Sequence, residues 1–373
     1  HGIILAKNYE AKRFGVQTGE ALWQAKQKCR ELIIVEPHYD KYIRFSQMAR
    51  EIYGEYTDQV ESFGLDECWL DVTGSEKLFG AGRQIADQIR ERIKFELGIT
   101  ASVGVSFNKV FAKLGSDMKK PDATTVIPPD SFREKVWPLP ISELLYVGRA
   151  THRKLHTYGV NTIGDLAKAD VNFLRLVFGK VGEMLWAFAN GLDHSPVSNI
   201  GAKSLIKSIG NSTTTPRDIV TEEEMKITLY VLCESVSERL REQGFRCRTV
   251  QLTLRDNELF SFERQKRLEN PVCTTKEIFD AAFALYKTNH KGKAYRSVGV
   301  RACQLLYEQS AQLSLYPEQA QVQKREALEA TVDHIRSRFG HFSIQRGLML
   351  ADPQLSSLDP KADHIIYPEG FLK

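Results

Sequence analysis

The chain has 373 residues, 42% of them hydrophobic and 26% charged, and a net charge of +4. These values are ordinary for a folded protein of roughly two to four domains, and they exclude a disordered or collagen-like chain. We find no signal peptide and no apolar run long enough to span a bilayer, so we expect no membrane partner. The six cysteines form neither a Cys-x-x-Cys pair nor a zinc-binding spacing, which indicates reduced thiols in the cytoplasm.

The first part of the chain alternates strand-like and helical patterns. It opens at His1 directly into the apolar run Ile3–Ala6, which we predict to be a strand. Because a domain rarely starts in the middle of a strand, we expect that an N-terminal piece precedes this sequence. Helical patterns follow around residues 19–29 and 41–58.

A clearer helix is predicted from Gln84 to Leu97, where isoleucines recur every four residues and Gly98 ends the pattern. A strand at 100–106 and a helix from 108 to about 118 come next. Strands and helices therefore alternate, and we predict an α+β multidomain protein.

Prolines at 128, 129, 138 and 140 indicate a domain boundary, after which residues 141–195 are predicted to form several short helices. The remaining predicted elements are a helix from the capping box at Thr221 to Gly244, a strand around 250–254, a helix at 275–287, a strand at 298–306, a helix at 324–339 and a short strand at 343–346. We expect a sheet with two helices between 201 and 310. That stretch also carries the whole positive surplus of the chain, a weak sign of a polyanionic partner that an ordinary solvated surface would explain equally well.

The segment Ser62–Thr73 places two adjacent carboxylates, Asp66 and Glu67, between two strand-like runs. Hard divalent metals take oxygen ligands from carboxylates, and paired metals commonly drive phosphoryl transfer. By itself the pair favours a solvated turn over a metal site, because adjacent Asp and Glu are common in loops.

Two further segments are cationic. Tyr9 stands beside Lys12 and Arg13 before a glycine turn, a combination that suits a triphosphate and its sugar, although this segment alone favours a solvated basic turn. Lys109 and Lys113 lie on one face of the helix predicted from 108, and Lys120 projects at its end before Pro121. These lysines could equally face water.

Two more motifs lie later in the chain. Residues 144–160, with Gly148 and Arg149 at the turn, resemble a helix–hairpin–helix, in which backbone amides and nearby cations grip a DNA phosphate; a plain glycine turn is the alternative. The extended peptide Gln312, Leu313, Ser314, Leu315 and Tyr316 suits an apolar pocket on a partner, or a partly buried linker.

In this order and spacing, the motifs resemble the Y-family translesion DNA polymerases, in particular the bacterial polymerase IV and UmuC-like (ImpB/MucB/SamB) members. The resemblance runs from His1 to about Glu308, and its most specific marks are the acidic hairpin and the run from Val103 to Pro121. It implies a right-hand-like architecture with fingers at 1–40, a palm of mixed sheet and helices at 41–127, a helical thumb at 128–197 and an α/β little finger at 198–310. Residues 311–373 would be a clamp-binding peptide and tail.

The resemblance also implies a function: DNA-templated addition of dNTPs to a primer 3′ end during damage bypass, as in the SOS response, with two Mg²⁺ ions. Asp66 would bridge both ions and Glu67 would lie near the primer end. The triphosphate would be bound by Tyr9, Lys12, Arg13 and Lys120, although the family usually has Arg where Lys12 stands. Gly148, Arg149, Lys207 and Ser208 would contact primer–template DNA, and residues 312–316 the sliding clamp (beta subunit). We expect a cytoplasmic monomer.

One departure from the family is serious. Its first metal-binding Asp lies on an N-terminal strand that this sequence does not include, and the similar-looking Asp170–Phe173 lies in the predicted thumb. We therefore expect the chain by itself to be weakly active or inactive. The alternative is a non-catalytic protein that binds DNA and the clamp on the same scaffold. A nucleotidyl cyclase or nuclease would explain only the acidic hairpin.

Overall fold

The computed structural model describes residues 2–202, 205–307 and 318–359. The described residues divide into two compact units, the first ending at Ile200 and the second starting at Gly201. The predicted boundary between thumb and little finger, 197/198, lies close to this division. The clamp-binding peptide at 312–316 lies outside the described residues.

The first unit begins with three helices: α1 (Tyr9–Arg13), α2 (Leu22–Lys28) and α3 (Tyr39–Gly54). The strand predicted at Ile3–Ala6 is wrong, since only an isolated bridge joins Ile3 to Ala21. The backbone there pairs locally, with Ile4 N donating to Glu20 O at 2.9 Å, so the run folds back on α2 instead of joining a sheet. Ile4, Val16 and Ala25 form its small core.

Two small sheets follow. Strands β1 (Val60–Ser62) and β2 (Cys68–Leu70) pair antiparallel, and β3 (Val103–Ser106) and β4 (Thr124–Ile127) pair parallel. Between and beside them lie α4 (Glu76–Phe79), α5 (Gly82–Leu97) and α6 (Lys109–Met118). The isoleucine stripe of α5 is buried as predicted, and the helix ends at Gly98, whose φ of 70° is the left-handed conformation typical of a glycine after a helix.

The predicted run of short helices at 141–195 is confirmed. The helices in this range are α8 (Arg149–Thr157), α9 (Ile163–Lys168), α10 (Val171–Phe178) and α11 (Lys180–Ala189), and α7 (Phe132–Val136) precedes them. Their apolar faces share one core, which includes Leu155, Leu166, Leu174 and Leu185. A short turn containing Gly159 joins α8 to α9, whereas Gly148 and Arg149, the predicted turn of the hairpin motif, lie at the start of α8.

The second unit is built on a four-stranded antiparallel sheet. Its elements are β5 (Ser208–Ile219), α12 (Glu222–Glu242), β6 (Phe245–Asp256), β7 (Ser261–Val272), α13 (Thr275–Asn289) and β8 (Tyr295–Tyr307), with strand order β5-β8-β6-β7. Alternate residues of the two central strands, such as Leu252 and Val300, are buried under α12 and α13. The two predicted strands and both helices are confirmed, whereas β5 and β7 were not predicted.

A C-terminal segment follows, with α14 (Glu318–Phe339), 3₁₀ turns at His341–Ser343 and Gly347–Ala351, and α15 (Pro353–Ser356). The strand predicted at 343–346 is wrong: the carbonyl of Ile344 accepts two hydrogen bonds from the guanidinium of Arg336 and has no partner strand. Among the described helices, none is both long and apolar enough to cross a bilayer.

Candidate active site

Asp66 and Glu67 lie in the loop that joins β1 to β2. The strand register pairs Ser62 with Cys68, and Phe63 N donates to Glu67 O at 2.8 Å to close the loop. Gly64 has a φ of 86°, a conformation that favours glycine. The sequence therefore folds this loop so that both carboxylates stand at the same end of the hairpin.

Helix α3 holds the loop from behind. Arg50 donates from Nη2 to the carbonyl of Gly64 at 2.8 Å and from Nη1 to Ser62 Oγ. Ser46 Oγ donates to the carbonyl of Leu65. Because three backbone or side-chain oxygens of the loop are bound by one helix, the carboxylates are held on a fixed frame. No local sequence pattern indicates these contacts, because they join residues that are 12 to 19 positions apart in the chain.

A row of alternating charges runs from the loop along α6. Lys113 Nζ lies 2.9 Å from Glu67 Oε1 and 2.6 Å from Asp117 Oδ2, and Lys120 Nζ lies 2.8 Å from Asp117 Oδ1. Lys113 thus pairs with a carboxylate of the loop instead of facing water. The row connects a predicted catalytic carboxylate to a predicted nucleotide-binding lysine.

The charges in this row shift one another's pKa. Burial lowers the pKa of Lys113, but its hydrogen bonds to Asp117 and Glu67 outweigh burial and raise the pKa above the ordinary lysine value. Burial likewise raises the pKa of Asp117, but Lys113 and Lys120 outweigh it and hold that pKa below the ordinary value. The charged forms of both residues are therefore favoured.

A second lysine of α6 fixes the helix to the hairpin. Lys109 Nζ lies 2.7 Å from Glu61 Oε2 and 5.3 Å from the centre of the Trp69 ring. The indole of Trp69 donates to the carbonyl of Lys109 at 2.9 Å. Sequence reasoning missed Glu61 and Trp69, since a contact between residues so far apart in the chain leaves no local pattern.

Asp66 and Glu67 offer carboxylate oxygens of the kind that hard divalent metals bind. Among residues 2–202, 205–307 and 318–359, no three His, Cys, Asp or Glu side chains converge on one point. Mg²⁺ is commonly held by one or two protein carboxylates, with substrate phosphates and waters completing the octahedron. Asp66, which is exposed, and Glu67 fit that donor set for one ion shared with a nucleotide. The described side chains supply no further acidic ligand for a second ion.

The predicted nucleotide-binding residues of α1 share one face. Tyr9, Lys12 and Arg13 are spaced i, i+3 and i+4, and all three are exposed. Asn8 caps the helix by accepting from Ala11 N at 2.9 Å. An anionic ligand could therefore meet an aromatic ring and two cations on a single turn of helix.

The predicted DNA-binding residues lie in both units. Gly148 precedes α8, and Arg149 is the first residue of that helix and exposed. Lys207 is exposed just before β5, and Ser208 is the first residue of that strand, paired with Cys303 of β8. Each pair is thus placed at the start of a regular element.

Comparisons with known proteins cover nearly the whole chain. Residues 1–117 match the impB/mucB/samB family, residues 206–315 match that family's C-terminal domain, and residues 143–193 match the thumb domain of DNA polymerase-iota. DNA polymerase IV of Acetivibrio thermocellus is 51% identical over 360 residues, covering 96% of this chain and 90% of that protein. DNA polymerase IV of Clostridium acetobutylicum is 35% identical, covering 94% and 87%.

Solved structures share the fold. A Y-family DNA polymerase chimera of Dbh and Dpo4 superposes with a TM-score of 0.70 at 24% identity, covering 82% of this chain and 88% of its own. An insertion ternary complex of Dbh DNA polymerase gives a TM-score of 0.53 at 24% identity, covering 80% and 86%.

Proposed function

The chain belongs to the impB/mucB/samB family of Y-family translesion DNA polymerases, and from that premise we propose that Asp66 and Glu67 form part of its nucleotide-addition site. It is a DNA-directed DNA polymerase of the damage-bypass class. The observation that carries the proposal for these two residues is the acidic loop held on α3 and joined by Lys113 and Asp117 to Lys120.

The proposed chemistry is nucleotidyl transfer: the primer 3′ hydroxyl loses its proton and attacks the α-phosphate of a dNTP. A new phosphodiester bond forms, and the bond between the α-phosphate and the leaving pyrophosphate breaks. Bound Mg²⁺ would neutralise the charge that develops on the phosphates and lower the pKa of the attacking hydroxyl. Asp66 and Glu67 would hold the ion against the triphosphate. We also propose that the complete site binds a second ion, as in the family. Lys120 and the exposed face of α1 would bind the triphosphate through Tyr9, Lys12 and Arg13.

The test is primer extension with Mg²⁺ and all four dNTPs, on this chain and on a version extended upstream with the strand that the family carries. The double variant Asp66→Asn, Glu67→Gln in the extended version should lower extension by about 100-fold or more, because it removes the anionic metal ligands. Its affinity for primer–template DNA should stay close to that of the parent. Glu51→Gln, an exposed carboxylate on α3, is the matched control. Retained extension in the double variant would refute the assignment.

A non-catalytic DNA- and clamp-binding role is the second candidate, because among the described residues no third His, Cys, Asp or Glu joins Asp66 and Glu67. The same experiment separates the two. If neither version extends a primer while both bind DNA, the non-catalytic role is supported. Extension by either version supports catalysis.

We also propose three partners: primer–template DNA, dNTP and the sliding clamp. The net positive charge of residues 201–310 and the exposed Lys207 support contacts to DNA phosphates. Residues 312–316 would bind the clamp, and the neighbouring elements β8 and α14 belong to the same unit. The chain would act as a monomer in the cytoplasm.

The clamp proposal is tested by Leu315→Ala with Tyr316→Ala in a pull-down with the sliding clamp. Binding should be lost, because the two side chains would fill the apolar pocket. Leu328→Ala, a leucine 63% exposed on α14, is the control and should bind normally. If the double variant bound the clamp as well as the parent does, residues 312–316 would be a linker and not a clamp-binding peptide.

A further inference from the structure

A crevice of about 520 Å³ lies between α2 and the start of α8 in the first unit. Trp23, Gln24 and Gln27 of α2 line one side, together with Gln17 from the preceding turn, and Arg149 lines the other. The volume falls within the range of small-ligand sites. Nothing in the proposed chemistry above uses this crevice, although Arg149 belongs to the predicted DNA-binding turn.

Trp23 is the unusual member of this lining. Its side chain is 61% exposed, whereas the other three tryptophans of the chain are partly buried. Trp69 and Trp137 each donate their indole N–H to a backbone carbonyl, and Trp186 packs against the thumb core. An exposed indole ring beside a crevice offers a flat surface on which a nucleic-acid base can stack.

The polar lining is suited to a base and one phosphate. Glutamine amides both donate and accept hydrogen bonds, so Gln17 and Gln27 can meet the edge of any base. Among the described residues that line the crevice, the one acidic side chain is that of Glu20. Glu20 accepts a hydrogen bond from Lys28, which also lines the crevice, and this bond lowers the pKa of the Glu20 carboxyl. Arg149 therefore supplies the net positive charge of the crevice, and its guanidinium can bind a phosphate in bidentate fashion.

The charge decides between two nucleotide ligands. A free triphosphate carries several negative charges, whereas each phosphodiester of a DNA strand carries one. A net charge equivalent to one arginine matches the phosphodiester. We propose that this crevice binds an unpaired nucleotide of DNA, with the base stacked on Trp23 and its phosphate bound by Arg149. The inference rests on the proposed function, since it supposes that the chain handles DNA with single-stranded regions.

The experiment measures binding of fluorescein-labelled oligo-dT to the full chain by anisotropy. Trp23→Ala should weaken binding about 5- to 100-fold, the range expected for loss of one base–aromatic stack, and Trp23→Phe should recover most of it. Phe95→Ala, which removes another exposed aromatic ring from α5, should bind like the parent. Because both side chains are exposed, neither change removes a core contact, and matching thermal midpoints would verify folding.

A second pair of probes locates the effect. On a duplex with a 5′ template overhang, Trp23→Ala should bind more weakly than the parent, and on the blunt duplex of the same sequence the two should bind equally. Equal binding of oligo-dT by Trp23→Ala and the parent overturns the inference, as does an equal loss in Phe95→Ala. Primer extension measured in parallel reports on the proposed function, so a parent that extends primers while Trp23→Ala retains oligo-dT overturns this inference alone.

Discussion

At the scale of single residues, Lys113 is where the charges beside the acidic loop meet. Its ammonium group is within 3 Å of one carboxylate of the loop and one of α6, as the distances of 2.9 Å to Glu67 and 2.6 Å to Asp117 show. Removing it would leave those carboxylates without their shared cation, and Asp117 would keep Lys120 as its one remaining ion-pair partner among the described residues. We therefore interpret Lys113 as a positioning residue that acts through Glu67 and Lys120.

We predict that Lys113→Met lowers kcat/KM for nucleotide addition about 10-fold in a version that extends primers, since a misplaced carboxylate and lysine weaken transition-state contacts. Lys113→Arg keeps the positive charge and should recover part of the loss. Steady-state primer extension checks both. The control is Lys324→Met, an exposed lysine in the second unit. Equal activity of Lys113→Met and the parent would show that the charge row has no role in catalysis.

The pairing of Asp117 also predicts a pH dependence of stability. Although burial raises the pKa of this carboxyl, Lys113 and Lys120 hold it below the ordinary value of 3.8. Such a group stabilises the folded state above its unfolded pKa, and the contribution is lost as pH falls through the folded pKa. The stability difference between parent and Lys113→Met, from urea midpoints, should thus be constant near neutral pH and shrink below about pH 4. A difference that grew on acidification would contradict the assignment.

At the scale of elements, charge fixes the C-terminal helix α14 to the second unit. Glu234 of α12 lies 2.9 Å from Arg336 and 2.7 Å from Arg346. The contact between Glu234 and Arg336 is an ion pair that lacks hydrogen-bond geometry. Glu329 of α14 lies 2.6 Å from Arg241 and accepts from the backbone N–H of Thr275 at 2.8 Å. A buried ion pair that loses one partner leaves an uncompensated charge, which is strongly destabilising. Each of these charged residues is therefore needed to hold α14 against the second unit.

We predict that Arg336→Met destabilises the second unit by about 3 kcal/mol, because it leaves Glu234 buried with one partner fewer. The value lies at the low end for a broken buried pair, since Arg346 still contacts Glu234. Urea unfolding followed by far-UV circular dichroism measures it. Lys324→Met on the same helix, where the lysine is exposed, should change stability by less than about 0.5 kcal/mol. If Arg336→Met and Lys324→Met had the same urea midpoint as the parent, the ion pairs of Arg336 would contribute nothing to the stability of the second unit.

Elements with a regular apolar pattern could be predicted from the sequence, and those without one could not. The stripes of α5 and α12 led directly to helices, because buried faces repeat with the helical period. Strand β7 was missed because eight of its 12 residues are exposed: it is an edge strand, and only β6 determines its register. Strand β5 contains Gly210, Asn211 and Pro216, residues that disfavour strands, and pairing with β8 overrides that preference.

The residues of the candidate site could also be predicted only where they form a local sequence pattern. The adjacent carboxylates and the lysines of α6 could be recognised because they are close in sequence. Their partners could not, since Glu67 and Lys113, or Arg50 and Gly64, meet only after the chain has folded. Position along the helix identified which lysines share a face, and only the structure showed that this face meets the hairpin.

At the scale of the whole molecule, each compact unit has its own hydrophobic core. One core lies entirely in the second unit and includes Leu232, Leu252 and Val300, all buried. The other three cores lie entirely in the first unit. A unit with its own core, a complete four-stranded sheet and two covering helices has what a domain needs to fold by itself.

We therefore predict that a fragment beginning at Gly201 folds without the rest of the chain. Its urea unfolding should be a single cooperative transition, because one continuous core links the sheet to α12 and α13. Leu232→Ala should lower the free energy of unfolding of this fragment by about 2–5 kcal/mol, the usual effect of emptying a fully buried leucine site. Leu328→Ala should leave it within about 0.5 kcal/mol, since that side chain faces solvent. A fragment without a cooperative transition would show that this core needs contacts from outside its own unit.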